Sequence, residues 1–403
     1  MQNIIAEPQP TAPLDLDAIQ TALRENKFDG WLFYDHHNRD PLAYSILGIP
    51  GGHITRRWYF FIPSHGEPQK LVHRIESHKL DTLPGAKDQY SSWQELESKL
   101  ETMLSGATKI AMQYSPRNAI MYLSMVDAGT VELLREMGKE IVSSANLVSQ
   151  FEAVLTPAQI STHYAAQERL DPILAEGWKI MGQRARSPHG THEYDIVTWL
   201  VEAIERAGMV TEHGPNVSVG PNSADSHYEP SPDSSRPIRP GDFILIDIWA
   251  RLANQPDAIW YDITWTGVLD RQPTEREQQI FHTVREARDA AVSAVKNAFA
   301  AKQAIAGWQA DDAARNVIRK AGLTESFTHR TGHNIGTALH GNGANLDNLE
   351  THDERLILPN TCFSVEPGLY FPGEFGIRSE VNMMVTPGAA NVTGRVQTEL
   401  VRI

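Results

Sequence analysis

Short apolar runs and longer amphipathic stretches alternate along the first third of the chain. Runs of strand length, rich in aromatic and β-branched side chains, occur at 30–34, 58–62 and 109–113. A stretch of helical character at 92–104 lies between two of them. Because strands that alternate with helices are typical of α/β layers, the pattern predicts an α/β domain over residues 14–152. The polar, proline-rich residues 1–13 before it are predicted to form a tail.

Helical patterns become longer after a boundary near residue 153. In Thr156-Pro-Ala-Gln159, threonine suits the N-cap, proline the first turn and glutamine the third helical position, which predicts a helix that ends near Arg186. Three further helices are predicted at 191–208, from the Thr274 capping box past 295, and at about 310–321. Strand-like runs lie between and after them. A second domain of the α+β class is therefore predicted over 153–403, with helices outside a curved antiparallel sheet.

Composition narrows the class of protein. A chain of 403 residues is too long for one ordinary core and fits two domains. The formal charge of −14 argues against a nucleic-acid partner. The single cysteine, Cys362, excludes an internal disulfide and fits a reducing compartment. Without a signal-like start or an apolar run near the ~20 residues of a membrane span, we expect a cytoplasmic protein with no membrane partner.

Four carboxylates fall in strand-like runs of the second half. They are Asp247 in 241–249, Asp262 in 262–267, Glu366 in 362–370 and Glu380 in 376–385. Because side chains alternate between the faces of a strand, two neighbouring hairpins of one curved sheet would bring these groups together on its concave face. His333 would complete the group from an adjacent segment. Carboxylates this close repel one another unless cations lie between them, which predicts a site for two divalent ions.

The stretches 241–268, 329–340, 362–370 and 376–386 resemble the signature segments of the pita-bread metallopeptidases. This family includes prolidase, aminopeptidase P, methionine aminopeptidase and the metal-free creatinase. The resemblance covers about 155–403 well and the N-terminal third weakly. It implies a pita-bread catalytic domain after a smaller α/β, creatinase-like domain. It also implies two divalent ions per subunit, manganese before cobalt or zinc, held by Asp247, Asp262, His333, Glu366 and Glu380.

The same resemblance implies roles for residues around the metal ligands. His227, in the stretch 222–228, would face the substrate, and His340 would lie near the scissile bond. Glu366 would also move a proton between water and the leaving nitrogen. Arg378 would orient the segment of Glu380 and contribute to substrate binding. His36 and His37 are interpreted as exposed loop residues, with a substrate contact across a prolidase-like dimer as the alternative.

Hydrolysis is the natural reaction for two ions bridged by carboxylates, because they lower the pKa of a shared water. A serine hydrolase has no support, since no Gly-x-Ser-x-Gly elbow occurs. Proline after the cleaved bond is implied by the resemblance alone. We therefore predict an Xaa-Pro dipeptidase (prolidase) that acts as a homodimer on small peptides. The alternatives are an Xaa-Pro aminopeptidase on longer peptides, a pita-bread lyase or amidinohydrolase acting on a small metabolite, and a non-catalytic binding module.

Three departures from the family pattern leave every predicted ligand in place. Fourteen residues separate Asp247 from Asp262, a few more than is usual, which lengthens the loop at 251–259. Trp265 and Val381 stand where the family has an arginine and a second acidic residue. These are the positions at which we expect the protein to differ from its relatives.

Overall fold

A computed structural model describes residues 14–403, so the tail predicted at 1–13 lies outside the described residues. The chain divides into two compact units, one that ends at Glu152 and one over Ala153–Ile403. None of the helices in the described part of the chain combines the length and the apolar character needed to cross a lipid bilayer.

The N-terminal unit is built around a mixed six-stranded sheet. Its strands are β1 (Gly30–Asp35), β2 (Trp58–Pro63), β3 (Gln69–His73), β4 (Ala86–Tyr90), β5 (Lys109–Met112) and β6 (Glu140–Ser143), in the order β4-β3-β2-β1-β5-β6. Its helices are α1 (Leu16–Glu25), α2 (Pro41–Leu47), α3 (Trp93–Met103), α4 (Ala128–Glu136) and α5 (Ala145–Glu152). Successive residues of β1 enter different cores, Trp31 on one side and Leu32 on the other. Both faces of the sheet are therefore covered, which explains why β1 is mainly apolar before its last residue, Asp35.

Asp40 is a buried acid in this unit with one oxygen unused. Its Oδ1 accepts from the backbone N–H of Ala43 at 3.0 Å and caps α2, whereas Oδ2 has no hydrogen-bond partner among the described residues. Burial, reinforced by the charges of Asp35 and Glu152, raises the pKa of Asp40 to about 7. Since the pKa of an unfolded aspartate is about 3.9, the stability that this group contributes is present below about pH 4 and lost as the pH rises through 7.

Replacing Asp40 by asparagine should therefore stabilise the protein selectively at alkaline pH. Asparagine keeps the helix cap and carries no charge to desolvate, so the gain at pH 8 should approach roughly 4 kcal/mol and should vanish near pH 4. Thermal denaturation of both proteins between pH 4 and 8 measures the difference. A gain that does not depend on pH would contradict a titrating Asp40.

The C-terminal unit places four helices against largely antiparallel sheets. The helices are α6 (Pro157–Ala185), α7 (Glu193–Arg206), α8 (Glu275–Ala300) and α9 (Gly307–Lys320). Capping boxes at Thr156 and Thr274 begin α6 and α8 as predicted. The other two helices begin at residues different from the predicted ones: α7 begins two residues after Thr191, and α9 begins at Gly307, three residues before Ala310. Gly307 has no room for a side chain, because its Cβ would lie 1.9 Å from the carbonyl oxygen of Asn345.

The strands of this unit form three sheets. A five-stranded sheet contains β7 (Met209–Val210), β8 (Asn216–Val219), β9 (Phe243–Leu252), β10 (Tyr261–Val268) and β17 (Val401–Arg402). A four-stranded sheet contains β11 (Asn334–Ile335), β12 (Cys362–Val365), β15 (Val381–Thr386) and β16 (Ala389–Thr393), and a two-stranded one contains β13 (Gly368–Phe371) and β14 (Phe375–Arg378). Helices α6 and α7 cover the apolar face of β9 and β10, and α8 and α9 share a core with β12 and β15. On the other face, polar side chains occupy the middle of the hairpin, while Phe243 and Val268 at one end join the core of α8 and α9.

Candidate metal centre

Asp247 and Asp262 share one face of a hairpin. Strands β9 and β10 pair antiparallel, with Asp247 opposite Thr264 and Asp262 opposite Trp249. Along β9, Asp247 is partly exposed while its neighbours Ile246 and Ile248 are buried in the helix-covered core. The strand alternation predicted from the sequence therefore puts both carboxylates on the face away from the helices.

Glu366 and Glu380 do not lie on strands, and here the prediction is wrong. Glu366 follows the last residue of β12, and Glu380 lies between β14 and β15. Their backbone N–H groups donate to other segments, that of Glu366 to Thr331 O at 2.7 Å and that of Glu380 to Thr264 O at 3.2 Å. The second bond joins the sheet of β10 to that of β15. The carboxylates consequently meet at a junction between sheets and not on one continuous curved sheet.

His333 reaches the carboxylates from the segment before β11. Its Nε2 lies 3.7 Å from Asp262 Oδ2 and 3.4 Å from Glu366 Oε1. The preceding Gly332 allows this approach, because a Cβ there would lie 2.0 Å from the carbonyl oxygen of Ser364. Asp262, His333 and Glu380 are buried, and each offers a ligand atom within 4.8 Å of the others. The structure thus brings together all five residues that the sequence nominated.

The cluster has more buried negative charge than its own cations neutralise. Within the described chain, Asp262 Oδ1 and Glu380 Oε1 are buried without a hydrogen-bond partner. Burial first, and then neighbouring carboxylates, raises the pKa of both groups well above the usual range. Burial also raises the pKa of Asp247 despite the nearby Arg378. Unpaired oxygens beside an imidazole are suitable ligands for divalent cations, so these residues fit the metal ions that the resemblance implies.

Glu366 differs electrostatically from the other three carboxylates. Burial favours its neutral form, but the charges of His333, Arg378 and His329 outweigh burial and lower its pKa. Its Oε1 accepts from the Ser364 hydroxyl at 3.0 Å. Glu366 is therefore the member of the cluster that is ionised most readily.

Arg378 is buried, and side chains beside the cluster bind its guanidinium. Its guanidinium pairs with Asp247, and its Nη1 donates to the Tyr370 hydroxyl at 3.2 Å. That hydroxyl also lies 2.8 Å from Nε2 of His329, whose pKa burial lowers to about 4. No role was predicted for Tyr370 or His329, although Tyr370 ends one stretch that resembles the family and His329 begins another. The one buried arginine at the cluster thus orients Asp247 within a hydrogen-bonded chain.

Thr264 is a further residue whose role the sequence did not reveal. Its hydroxyl lies 2.7 Å from Asp247 Oδ1 and 2.8 Å from Glu380 Oε2, and it accepts from Arg378 Nε at 3.1 Å. One hydroxyl has a single proton to donate. Both carboxylates can be satisfied only if one of them carries a proton, which agrees with the raised pKa of Glu380.

Replacing Thr264 by valine should weaken metal binding about 10- to 100-fold, because the two carboxylates lose the group that orients them. Thr266 offers a matched control, since it is buried on the same face of β10 and its hydroxyl has no partner in the described part of the chain. Metal titration of the two valine variants makes the comparison. Equal affinities would show that Thr264 does not position the carboxylates.

His340 lies beside His333 of the cluster, and His227 is close enough to affect His340 electrostatically. The His340 ring is exposed and stands edge-on to His333, with the ring centroids 4.2 Å apart. The charge of His333 first, and burial second, lowers the pKa of His340 to about 4. His227 is also exposed, and its charge contributes to the same shift. Both histidines predicted from the resemblance thus have exposed side chains, and their roles stay predictions.

The positions at which the sequence departs from the family pattern lie in different parts of the C-terminal unit. Trp265 is directed towards the helices and packs on the core of α6 and α7, away from the cluster. The longer loop lies at 253–260 and not at 251–259 as predicted, because β9 continues to Leu252. Its last residue, Trp260, is fully buried and donates from Nε1 to Thr337 O at 3.0 Å. The loop therefore braces the segment that carries His333 and His340.

Cys362 is buried, as expected for a small core residue, but His163 lies 3.8 Å from its Sγ. The contact could not be predicted, because the two residues are far apart in the sequence.

The chain is similar in sequence to known metallopeptidases. A model of metallopeptidase family M24 matches residues 162–387, more than half of the chain. The protein named probable dipeptidase PepE of Mycobacterium tuberculosis is 30% identical over 239 residues, 58% of this chain and 59% of the relative. The Xaa-Pro dipeptidase of Lactobacillus helveticus is 28% identical over 244 residues, 60% of either chain. The matched region thus spans about three fifths of the length of these relatives.

Solved structures are similar over nearly the whole chain. The dipeptidase PepE from Mycobacterium ulcerans covers 97% of this chain and 100% of its own, with a TM-score of 0.67 and 23% identity. An X-prolyl aminopeptidase from Caenorhabditis elegans, described as a cytosolic enzyme with a dinuclear active site, gives a TM-score of 0.64 at 17% identity and covers 97% of this chain and 65% of its own. Identities this low show the fold alone. They confirm the α+β, pita-bread fold predicted from the sequence.

Proposed function

Because this chain belongs to metallopeptidase family M24, we propose that it hydrolyses the peptide bond before proline, with Xaa-Pro dipeptides as its main substrates. The observation that supports this most is the cluster of four carboxylates and one imidazole, in which two buried oxygens have no hydrogen-bond partner among residues 14–403. In the proposed domain organisation, residues 14–152 form the N-terminal α/β domain and 153–403 the catalytic domain.

Divalent metal ions agree with this family and with the buried group of Asp262, His333 and Glu380. We propose that the five clustered residues hold two ions, and manganese in particular, since carboxylate oxygens and one imidazole are hard to borderline ligands. When bound, such ions lower the pKa of a shared water and polarise the scissile carbonyl.

Glu366 is proposed to carry the proton. Its lowered pKa keeps the carboxylate ionised at neutral pH, so it can accept a proton from the attacking water. Ser364 holds one of its oxygens at 3.0 Å, which fixes the direction from which the proton arrives. The same carboxyl group then delivers the proton to the departing prolyl nitrogen, which has no hydrogen of its own.

His340 and His227 are proposed to stabilise the reacting carbonyl. A pKa of about 4 keeps His340 neutral at pH 7, so one ring nitrogen carries a hydrogen that can be donated. A donor aimed at the oxygen that becomes negative lowers the barrier more than one that binds the ground state. Arg378 is proposed to act on the substrate side through Asp247, which it orients.

Substrate class is tested by incubating the manganese-loaded protein with Ala-Pro, with Ala-Pro-Ala and with creatine, and by following the products. Cleavage of Ala-Pro with little cleavage of the tripeptide is the expected result. Preference for the tripeptide would favour an Xaa-Pro aminopeptidase. Failure to cleave either peptide would exclude the proposed function, and conversion of creatine would favour an amidinohydrolase.

We further propose a cytoplasmic homodimer whose partners are small peptides, with neither nucleic acid nor membrane among them. The peptide partner agrees with the peptidase family. The net charge of −14 supports the exclusion of nucleic acid. Light scattering after size exclusion should give twice the chain mass of 44.9 kDa, and a mass of one chain would contradict the dimer.

A further inference from the structure

Trp249 flanks the carboxylate cluster on the face of β9 that points away from the helices, and it has no part in the proposed chemistry. Asp247, Trp249 and Arg251 are all partly exposed, whereas the alternating residues Ile248 and Ala250 are fully buried. Trp249 is therefore the next residue after Asp247 on the face that carries the cluster, about 7 Å further along the strand.

Trp249 also stands opposite a proposed metal ligand. The register of the hairpin pairs it with Asp262. Side chains of directly opposite residues begin at Cβ atoms about 5 Å apart. Trp249 is thus the neighbour of Asp247 along β9 and of Asp262 across the hairpin.

The indole is held in place on this face. Its Nε1 donates to the carbonyl oxygen of Glu212 at 2.9 Å. The ring also packs against an apolar cluster that includes Ile259 and Trp260 of the long loop, and Leu339, which precedes His340, packs against the same cluster. A ring fixed on one side and partly exposed on the other forms a rigid wall of the cleft, because it cannot rotate away without losing both contacts.

The geometry of an Xaa-Pro substrate brings its first residue to this wall. The carbonyl that is attacked belongs to Xaa itself, so the Cα of Xaa is one bond from the reacting carbon. Its side chain must consequently lie beside the cluster. His340, which the proposed function assigns to the reacting carbonyl, stands edge-on to His333 of the cluster, and Trp249 stands on the β9 side, opposite Asp262.

We propose that Trp249 determines specificity by limiting the size of the Xaa side chain. The inference rests on the proposed function and extends it by naming a substrate class, dipeptides in which glycine or alanine precedes proline. Large side chains such as phenylalanine or leucine meet the fixed indole and are bound poorly. Differences of even one methylene in such a pocket are worth about 10- to 200-fold in kcat/KM.

The test compares Gly-Pro, Ala-Pro, Leu-Pro and Phe-Pro in the wild-type protein and in the variants Trp249→Ala and Trp249→Phe. We expect the wild type to favour Ala-Pro over Phe-Pro by at least about tenfold. In Trp249→Ala that ratio should fall by about tenfold or more, chiefly through a lower KM for Phe-Pro. Trp249→Phe should be intermediate and serves as the second variant if the alanine variant does not fold.

Arg251→Gln is the matched control, because Arg251 is on the same face but one step further from the cluster. It should leave the substrate ratio unchanged. Metal content and melting temperature, measured for every variant, separate a change of specificity from loss of the metal or of the fold. A wild type that cleaves Phe-Pro as well as Ala-Pro would overturn the inference, as would an unchanged ratio in Trp249 variants that retain metal. A wild type that cleaves none of the four dipeptides would overturn the proposed function and this inference with it.

Discussion

Replacing Asp262 by alanine should abolish Xaa-Pro hydrolysis and reduce the metal content of the purified protein. Asp262 is buried beside His333 and Glu380, and one of its oxygens has no partner within residues 14–403. Loss of a ligand that holds the metal costs several kcal/mol of transition-state stabilisation. This corresponds to a decrease in kcat/KM of roughly a thousandfold or more. Elemental analysis and steady-state kinetics on Ala-Pro measure the two effects.

Asp257→Ala is the matched control for that variant, because Asp257 is an exposed acid five residues earlier in the same hairpin. It should retain both metal and activity. Full activity in Asp262→Ala with unchanged metal content would remove Asp262 from the ligand set and weaken the whole assignment.

Removal of metal by a chelator should destabilise the C-terminal unit, and more so at pH 8 than at pH 5. Burial and neighbouring carboxylates raise the pKa of Asp262 and of Glu380 well above their unfolded values of about 4. The stability that depends on these protons is therefore present below pH 4 and lost as the pH rises through the raised pKa values. Bound metal replaces the protons. At a thousandfold excess over its Kd, metal contributes about 4 kcal/mol per site.

Hydrogen exchange with and without chelator locates this effect. Peptides from β9, β10 and β15 should exchange faster after chelation, whereas β1 and β2 of the N-terminal unit provide an internal reference and should not change. The difference should grow between pH 5 and pH 8 once intrinsic exchange rates are corrected. Equal protection in the two states at pH 8 would contradict a metal-dependent junction.

Local signals in the sequence correctly predicted where helices α6 and α8 begin and which face of the β9–β10 hairpin carries Asp247 and Asp262. The capping boxes at Thr156 and Thr274 depend on residues three positions apart, so they can be recognised without any knowledge of tertiary structure. Strand alternation likewise placed Asp247 and Asp262 on one face. Such features are determined by near neighbours along the chain.

Features that depend on distant segments could not be predicted from local pattern. Glu380 sits in a break between strands because its N–H donates to Thr264 O across a junction of sheets, a contact between residues 116 positions apart. Thr264 looked like an ordinary β-branched strand residue, since nothing nearby shows that Arg378 and two carboxylates reach its hydroxyl. The position of His163 beside Cys362 was hidden for the same reason.

Anomalous diffraction from a crystal of the manganese-loaded protein tests the central claim most directly. Data collected at energies above and below the manganese absorption edge identify the ion and its position together. We expect two manganese peaks enclosed by Asp247, Asp262, His333, Glu366 and Glu380. A map with no peak at this cluster, from protein that contains stoichiometric manganese, would contradict it.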